Sequence, residues 1–364
     1  MKNYPSCDVW QTLASSPDPL YLYGTGDGAD KILDIMASRK INPAGIFVSD
    51  DFYRGQVFRG FSVRPLSSLE AIPAPFVLII SFGSHLPHLI RRIHELSTRY
   101  PVLIPDMPVA GDALFDHTFY EVHEADLQKT RDLLTDEASR EVYDQVITYK
   151  LTGDLVPLFE SVSPKEEILS MLFSHHPDVV PSYIDCGAYR GDTVEEFFQY
   201  FPRTDYRVTA LEPEPASFRK LQKAFGNDSK IRLIPAAVSN EFGETVLFAG
   251  RGRGTRAVTD ERSAAESAAG KKITIPLVRL DDLDFPFPPT YLKMDIEGKE
   301  KEALLGASRL IRTYHPLLNI ACYHRSEDLF VLPKLIHELY PGYRIYLRRH
   351  DCFPCWDLNL YCLI

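Results

Sequence analysis

Ile184-Asp185-Cys186-Gly187-Ala188-Tyr189-Arg190-Gly191-Asp192-Thr193 is the stretch whose reading decides the fold. An apolar run of strand type over 183–186 passes through a glycine turn into a segment that opens with an acid, as helices do. Gly187 and Gly191 lack a Cβ, so the backbone there can approach a ligand, and the free amides of a helix start supply donors. Open α/β sheets bind nucleotides at such a turn, outside the carboxyl end of a strand. The bland alternative is a tight turn that binds nothing.

Outward from this stretch the alternation of strand and helix continues. Strands are predicted over 208–211, 232–237, 291–294 and 317–322, with helical segments between most of them and a hairpin, 245–248 with 273–278, interrupting the series. The runs 343–347 and 358–363 are too close for a helical crossover and are predicted to pair antiparallel. The expected architecture is a mostly parallel, seven-stranded sheet ending in an antiparallel hairpin.

Three further segments bring reactive side chains to the carboxyl edge of that sheet. Glu212 ends the second strand, where a carboxylate can accept hydrogen bonds from both hydroxyls of a ribose; otherwise it is a helix-start acid stabilised by the dipole. In Leu292-Lys293-Met294-Asp295-Ile296-Glu297-Gly298-Lys299-Glu300 two carboxylates follow a buried strand. Asp295 and Glu297 could coordinate a divalent cation, steer a cationic group or hold a hydroxyl, and the plain alternative for Asp295 is a helix cap. His324, in Asn319-Ile320-Ala321-Cys322-Tyr323-His324-Arg325, follows a strand at the same edge, where a general base would stand; a packing or capping histidine is the competing reading.

The N-terminal third repeats the theme. An apolar strand over 20–23 leads into Gly24-Thr25-Gly26-Asp27-Gly28-Ala29 and an amphipathic helix, and a second strand over 45–48 ends in Asp50-Asp51, where dinucleotide-binding units place an acid for the ribose. Strands over 76–81 and 102–104, with a helix over 86–100 between them, complete a small parallel sheet. The segment from there to Pro181 is helical in its spacing, with Leu133, Leu134, Val142, Val146, Leu151 and Leu155. The expected organisation is a Rossmann-like domain over 1–125, a helical connector over 126–180 and a second Rossmann-like domain over 181–364.

At 364 residues with 45% hydrophobic content the chain is long enough for two cores. Its net charge of -10 disfavours a phosphate-backbone binder, and its one basic cluster, Arg251, Arg253 and Arg256, lies in a Gly/Ala/Ser-rich stretch, 250–270, that reads as a loop shaping a pocket. No nucleic-acid partner is expected. No leader and no apolar run of membrane-spanning length is found, so no membrane role is expected, and six sparse cysteines suit a reducing, cytoplasmic setting. Cys352 and Cys355 are read as free thiols in a hairpin loop. His85, His88, His175 and His176 are read as solvated or capping residues, since neither pair has the HExxH context or a third ligand.

Taken together and in order, the four C-terminal segments resemble the FkbM-type methyltransferases, with 293–298 and 323–325 the most specific part. The resemblance implies a class I methyltransferase fold, S-adenosylmethionine as donor, and a small-molecule acceptor whose oxygen is methylated, on a sugar, a nucleotide-sugar or a secondary metabolite. It implies a cofactor set of Asp185, Gly187, Ala188, Gly191, Glu212 and Ala237, and active-site positions at Asp295, Glu297 and His324. The competing expectation is an NAD(P)- or sugar-nucleotide-binding protein that works through the glycines of the N-terminal domain. No catalytic Tyr-Lys or His-Asp set follows those glycines.

Overall fold

The computed structural model describes residues 4–174, 181–201, 205–249, 256–257 and 271–364. His175, His176, Arg251, Arg253 and most of the 250–270 stretch lie outside the described residues. The chain divides into two compact units, one of Met1–Ser163 with Arg325–Glu327 and Leu347–Leu358, the other of Pro164–His324, Asp328–Tyr346 and Asn359–Ile364. The helices of the 126–180 segment fall on both sides of this division: Glu137–Thr152 and Leu155–Glu160 in the first unit, Lys165–Ser174 in the second.

The first unit is built on β1 (Leu20–Tyr23), β2 (Gly45–Val48), β3 (Val57–Phe58), β4 (Phe61–Pro65), β5 (Val77–Ile80) and β6 (Val102–Leu103), ordered β3-β4-β2-β1-β5-β6. Every pairing is parallel except β3 with β4, so the order reverses between β1 and β5, as in a Rossmann half. The helix Asp27–Ser38 buries Ala29, Ile32, Leu33 and Met36, spaced as one face of a helix, against Leu22, Ile46 and Ile79. Val9, Trp10 and Leu13 of the first helix complete that core.

The second unit, with 347–349 and Leu358 of the first, holds β7 (Ser182–Cys186), β8 (Arg207–Leu211), β9 (Ile231–Ile234), β14 (Tyr291–Met294), β15 (Leu317–Ala321), β16 (Arg344–Arg349) and β17 (Leu358–Leu363) in one sheet, ordered β16-β17-β15-β14-β7-β8-β9. Counted along the chain these seven run 3-2-1-4-5-7-6, parallel from β9 to β15, with β17 antiparallel to β15. A separate four-stranded sheet takes β10 (Ala237–Val238), β11 (Gly243–Ala249), β12 (Arg256–Ala257) and β13 (Lys271–Val278). The single strand expected over 232–237 is thus two strands in different sheets. Pro235 lies between them and has no N–H to extend the ladder.

Alternate residues of the large sheet, Tyr183, Val208, Tyr291, Leu317 and Leu363, face one core with Leu169, Leu172, Val194, Phe197 and Leu221 from its helices. Tyr183 stacks on both Phe197 and Tyr291, each at 4.8 Å between ring centroids. No helix among the described residues is long and apolar enough to cross a membrane.

Candidate active site

The strand order of the large sheet reverses between β7 and β14, and the loops leaving those two strands meet at its carboxyl edge. Past β7 the chain turns through Gly187 (φ +86°), Tyr189 (φ +48°) and Gly191 (φ +96°) into the helix Asp192–Tyr200. Gly187 and Ala188 both donate to the Leu211 carbonyl at 3.0 Å, which clamps the turn to the end of β8. A Cβ on Gly187 would run into the Asp295 carbonyl, and one on Gly191 into the Phe225 ring. Both glycines therefore serve the close packing of protein on protein. At Gly187 the turn is held against Asp295 and Ile296.

Glu212 sits at the end of β8 and is buried. One oxygen accepts from the Tyr189 N–H at 2.9 Å and the other from the Glu214 N–H at 2.8 Å. Burial pushes its carboxyl up to about 7, against the pull of those two hydrogen bonds. Among the described residues no cation forms an ion pair with it. Each oxygen keeps a lone pair, so this carboxylate has the chemistry to receive a pair of hydroxyls.

Beneath the turn a polar row crosses the sheet, with Asp185, Lys293 and Asn319 abreast in register on β7, β14 and β15. Asp185 is fully buried; the Thr193 hydroxyl donates to one oxygen and Lys293 Nζ lies 4.0 Å from the other. Burial raises its pKa, opposed by Lys293 and Thr193. Asp185 therefore acts through its neighbours: it ties the first turn of the following helix to the lysine. Ala188 is also fully buried, and Ala237 lies in the smaller sheet, paired with Leu277.

Lys293 Nζ reaches the other way to Asp295, 3.8 Å from Oδ2. Asp295 Oδ1 accepts from the Tyr323 hydroxyl at 3.1 Å and faces His324 Nε2 at 3.4 Å. Burial would raise the Asp295 pKa, but Lys293, His324 and Tyr323 outweigh it and hold the carboxyl below its usual range. His324 is buried, and its Nδ1 lies 3.0 Å from Glu300, a fully buried carboxylate at the start of the helix Glu300–Leu305. Burial alone would lower the His324 pKa, yet Glu300, Asp295 and Glu297 carry it up to about 9. The ring between two carboxylates is an imidazolium at neutral pH. Glu297 is exposed, with φ +57°, and contributes charge to that set.

Donor atoms of Asp295, Glu300 and His324 lie within 4.8 Å of one another, a spacing that a divalent ion could use. The cluster carries cations of its own, however: the imidazolium between Asp295 and Glu300, and Lys293 on the other oxygen of Asp295. Glu300 and the bridging role of Lys293 escaped the sequence reading. The available signal was a third acid, five residues after Asp295, at a helix start near a post-strand histidine.

In the first unit, Gly24 (φ +128°) and Gly28 both abut Ser81, so their missing Cβ atoms admit the end of β5. Asp27 and Asp30 occupy the first turn of the helix, where a pyrophosphate would need positive potential. Asp50 accepts from the Ser67 N–H at 3.0 Å. These features do not favour a dinucleotide there. Cys352 and Cys355 are free and buried, with burial raising their thiols to about 12 and about 11. His85 and His88 are exposed.

Two Gly-turned, mostly parallel sheets, the larger closing with an antiparallel strand, define an α/β protein whose second unit has a class I methyltransferase-like fold. Residues 185–350 match the family model described as the methyltransferase FkbM domain, so the chain carries a domain that resembles it. The crystal structure of methyltransferase FkbM from Methylobacillus flagellatus KT is similar over 99% of this chain and 94% of that one, with a TM-score of 0.69 and 21% identity. Fibrillarin from Aeropyrum pernix, solved with S-adenosyl-L-methionine, is similar over 54% of this chain and 74% of that one, with a TM-score of 0.31 and 14% identity. A precorrin-6y C5,15-methyltransferase from Geobacter metallireducens GS-15 is similar over 56% and 89%, with a TM-score of 0.33 and 13% identity. Neither of these two bears on the argument at such scores. No curated protein matches the chain.

Proposed function

We propose that this protein uses S-adenosylmethionine to methylate a hydroxyl of a small-molecule acceptor, a sugar or secondary-metabolite type of compound, in a reducing, cytoplasmic setting. The observation that carries the reading is the pair of carboxylates on either side of the β7 turn: Glu212, buried with no cation paired to it among the described residues, and Asp295, anionic and 39% exposed. The first fits the ribose of the donor. The second fits the reacting hydroxyl. The acceptor class rests on the resemblance of the four C-terminal segments to FkbM-type enzymes, and six cysteines without a disulfide between them support the compartment.

When bound, S-adenosylmethionine supplies an electrophilic methyl group on a positively charged sulfur. What the chain must do is hold the acceptor oxygen in line and find a place for its proton. Asp295 can accept a hydrogen bond from the hydroxyl and orient a lone pair toward the methyl. Its lowered pKa makes it a weak base toward a resting alcohol, but the proton becomes acidic as the new O–C bond forms. His324, already protonated at neutral pH, has no free lone pair for that proton and serves Asp295 instead.

Isothermal titration with S-adenosylhomocysteine tests this reading without knowledge of the acceptor. Saturable binding to the wild type, lost in Glu212→Ala, is the expected result. Binding of NAD or a sugar nucleotide in its place would move the function to the N-terminal unit.

A further inference from the structure

Asp295 is partly exposed, whereas Glu300 and His324, which lie close to it, are buried. Glu300 Oε1 accepts from the Ile296 N–H at 2.8 Å, and the same oxygen lies 3.0 Å from His324 Nδ1. One buried carboxylate therefore holds the backbone just after Asp295 and also the ring that faces the Asp295 side chain. We infer that Glu300 is a positioning residue, which acts through His324 and the Ile296 amide to fix the Asp295 carboxylate against the donor turn.

The physical argument is one of desolvation. A fully buried carboxylate is costly unless charged and polar partners surround it, and here both partners belong to the Asp295 support. Glu300 has no cation partner but His324 among the described residues, and its second oxygen has no hydrogen-bond partner there. Its charge is thus coupled to one ring. That ring meets four groups: Glu300 on Nδ1, Asp295 on Nε2, the Glu297 charge nearby and the Tyr323 ring at 4.1 Å. The Asp295 carbonyl rests where a side chain on Gly187 would be, so displacement of this loop is felt at the turn that follows β7.

The inference rests on the methyltransferase reading for its purpose but not for its test. Histidine-labelled full-length protein is titrated by NMR between pH 5 and 10, with the His324 signal identified by its absence in His324→Asn. In the wild type this signal should titrate near 9; in Glu300→Gln its midpoint should fall by about one unit or more, as loss of an opposite charge at this distance predicts. In parallel, Kd is measured for S-adenosylmethionine and S-adenosylhomocysteine. Glu300→Gln should leave the product, which lacks the sulfonium charge, within about threefold of wild type and weaken the sulfonium-bearing donor by about tenfold, because a displaced Asp295 no longer faces the sulfonium. Glu300→Asp, which keeps the charge, should recover part of both effects.

An unmoved His324 midpoint in a folded Glu300→Gln protein would overturn the inference. So would a moved midpoint with both ligands bound as in the wild type, which would make Glu300 structural only. If neither ligand binds the wild-type protein, the methyltransferase reading fails while the NMR result still decides the coupling. If Glu300→Gln does not fold, His324→Gln carries the ligand comparison: it should weaken the cationic donor selectively, and equal affinities would overturn the inference.

Discussion

Glu212 should make donor binding depend on pH across the neutral range, where an ordinary carboxylate site would be flat. Most carboxylates are ionised well below pH 6, but this one titrates at about 7 in the unliganded protein because it is buried without a cation. Its folded pKa lies above the ordinary value of 4.5, so ionising it costs the folded state roughly 3 kcal/mol once the pH exceeds 7. That cost is absent below the ordinary pKa of 4.5, grows between there and about 7, and is complete above it. The ionised form is nevertheless the one that can accept two ribose hydroxyls. If only that form binds, affinity for S-adenosylhomocysteine should be about tenfold weaker at pH 6 than at pH 8, with close to one proton released per ligand bound at pH 6. Isothermal titration in two buffers of different ionisation enthalpy gives both the Kd and the proton count. Glu212→Gln, which cannot ionise, should bind more weakly at pH 8 and lose the slope. A wild-type Kd constant from pH 6 to pH 8, or a variant that keeps the slope, would refute the assignment of Glu212 to the donor.

Two stability measurements follow from the packing. Gly187→Ala combines a left-handed φ with a collision against the Asp295 carbonyl and should lose about 1–3 kcal/mol in urea unfolding, whereas Gly26→Ala, at φ -100° with open space around it, should lose under about 1 kcal/mol; equal losses would contradict the steric reading. In the first unit, Lys150 and Asp106 form a buried pair at 2.6 Å. Lys150→Met should cost about 3–5 kcal/mol by stranding Asp106, and adding Asp106→Leu should restore most of it, a recovery whose absence in a double-mutant cycle would show the pair to be uncoupled.

Much of the second unit was legible because its strands are short buried runs bounded by punctuation. Tyr291–Met294 and Leu358–Leu363 lie where expected, to the residue. Errors fall where a local rule was ignored: Pro235 divides one expected strand into two, and the hairpin expected within 245–278 belongs to a sheet of its own, with Ala237–Val238 on its edge. At the site, the residue types were legible but their protonation was not. His324 reads as a base near its ordinary pKa until Glu300 and Asp295 are found on its two nitrogens, a fact that depends on which side chains the sheet brings together across nearly thirty residues.

The glycine turns of the two units show why a motif alone cannot separate a binding site from a scaffold. In both, a strand runs into a glycine with positive φ, Gly24 or Gly187, and in both a missing Cβ makes room for protein: Ser81 beside Gly24 and Gly28, Asp295 beside Gly187. Steric need is therefore the same. The difference lies in the charges that surround each turn. Around the first, Asp27 and Asp30 place anions at the helix start, and Asp50 is engaged by the Ser67 amide. Around the second, a cationless buried Glu212 stands on one side, and on the other an Asp295 kept anionic by Lys293 and His324. The acids of the first arrangement are paired with Lys31 at 3.4 Å and Arg59 at 3.8 Å, which leaves no net positive charge for a phosphate; the second suits a ligand that brings hydroxyls and a positive charge. Electrostatics of the flanking strands, rather than the glycines, is what distinguishes the two turns.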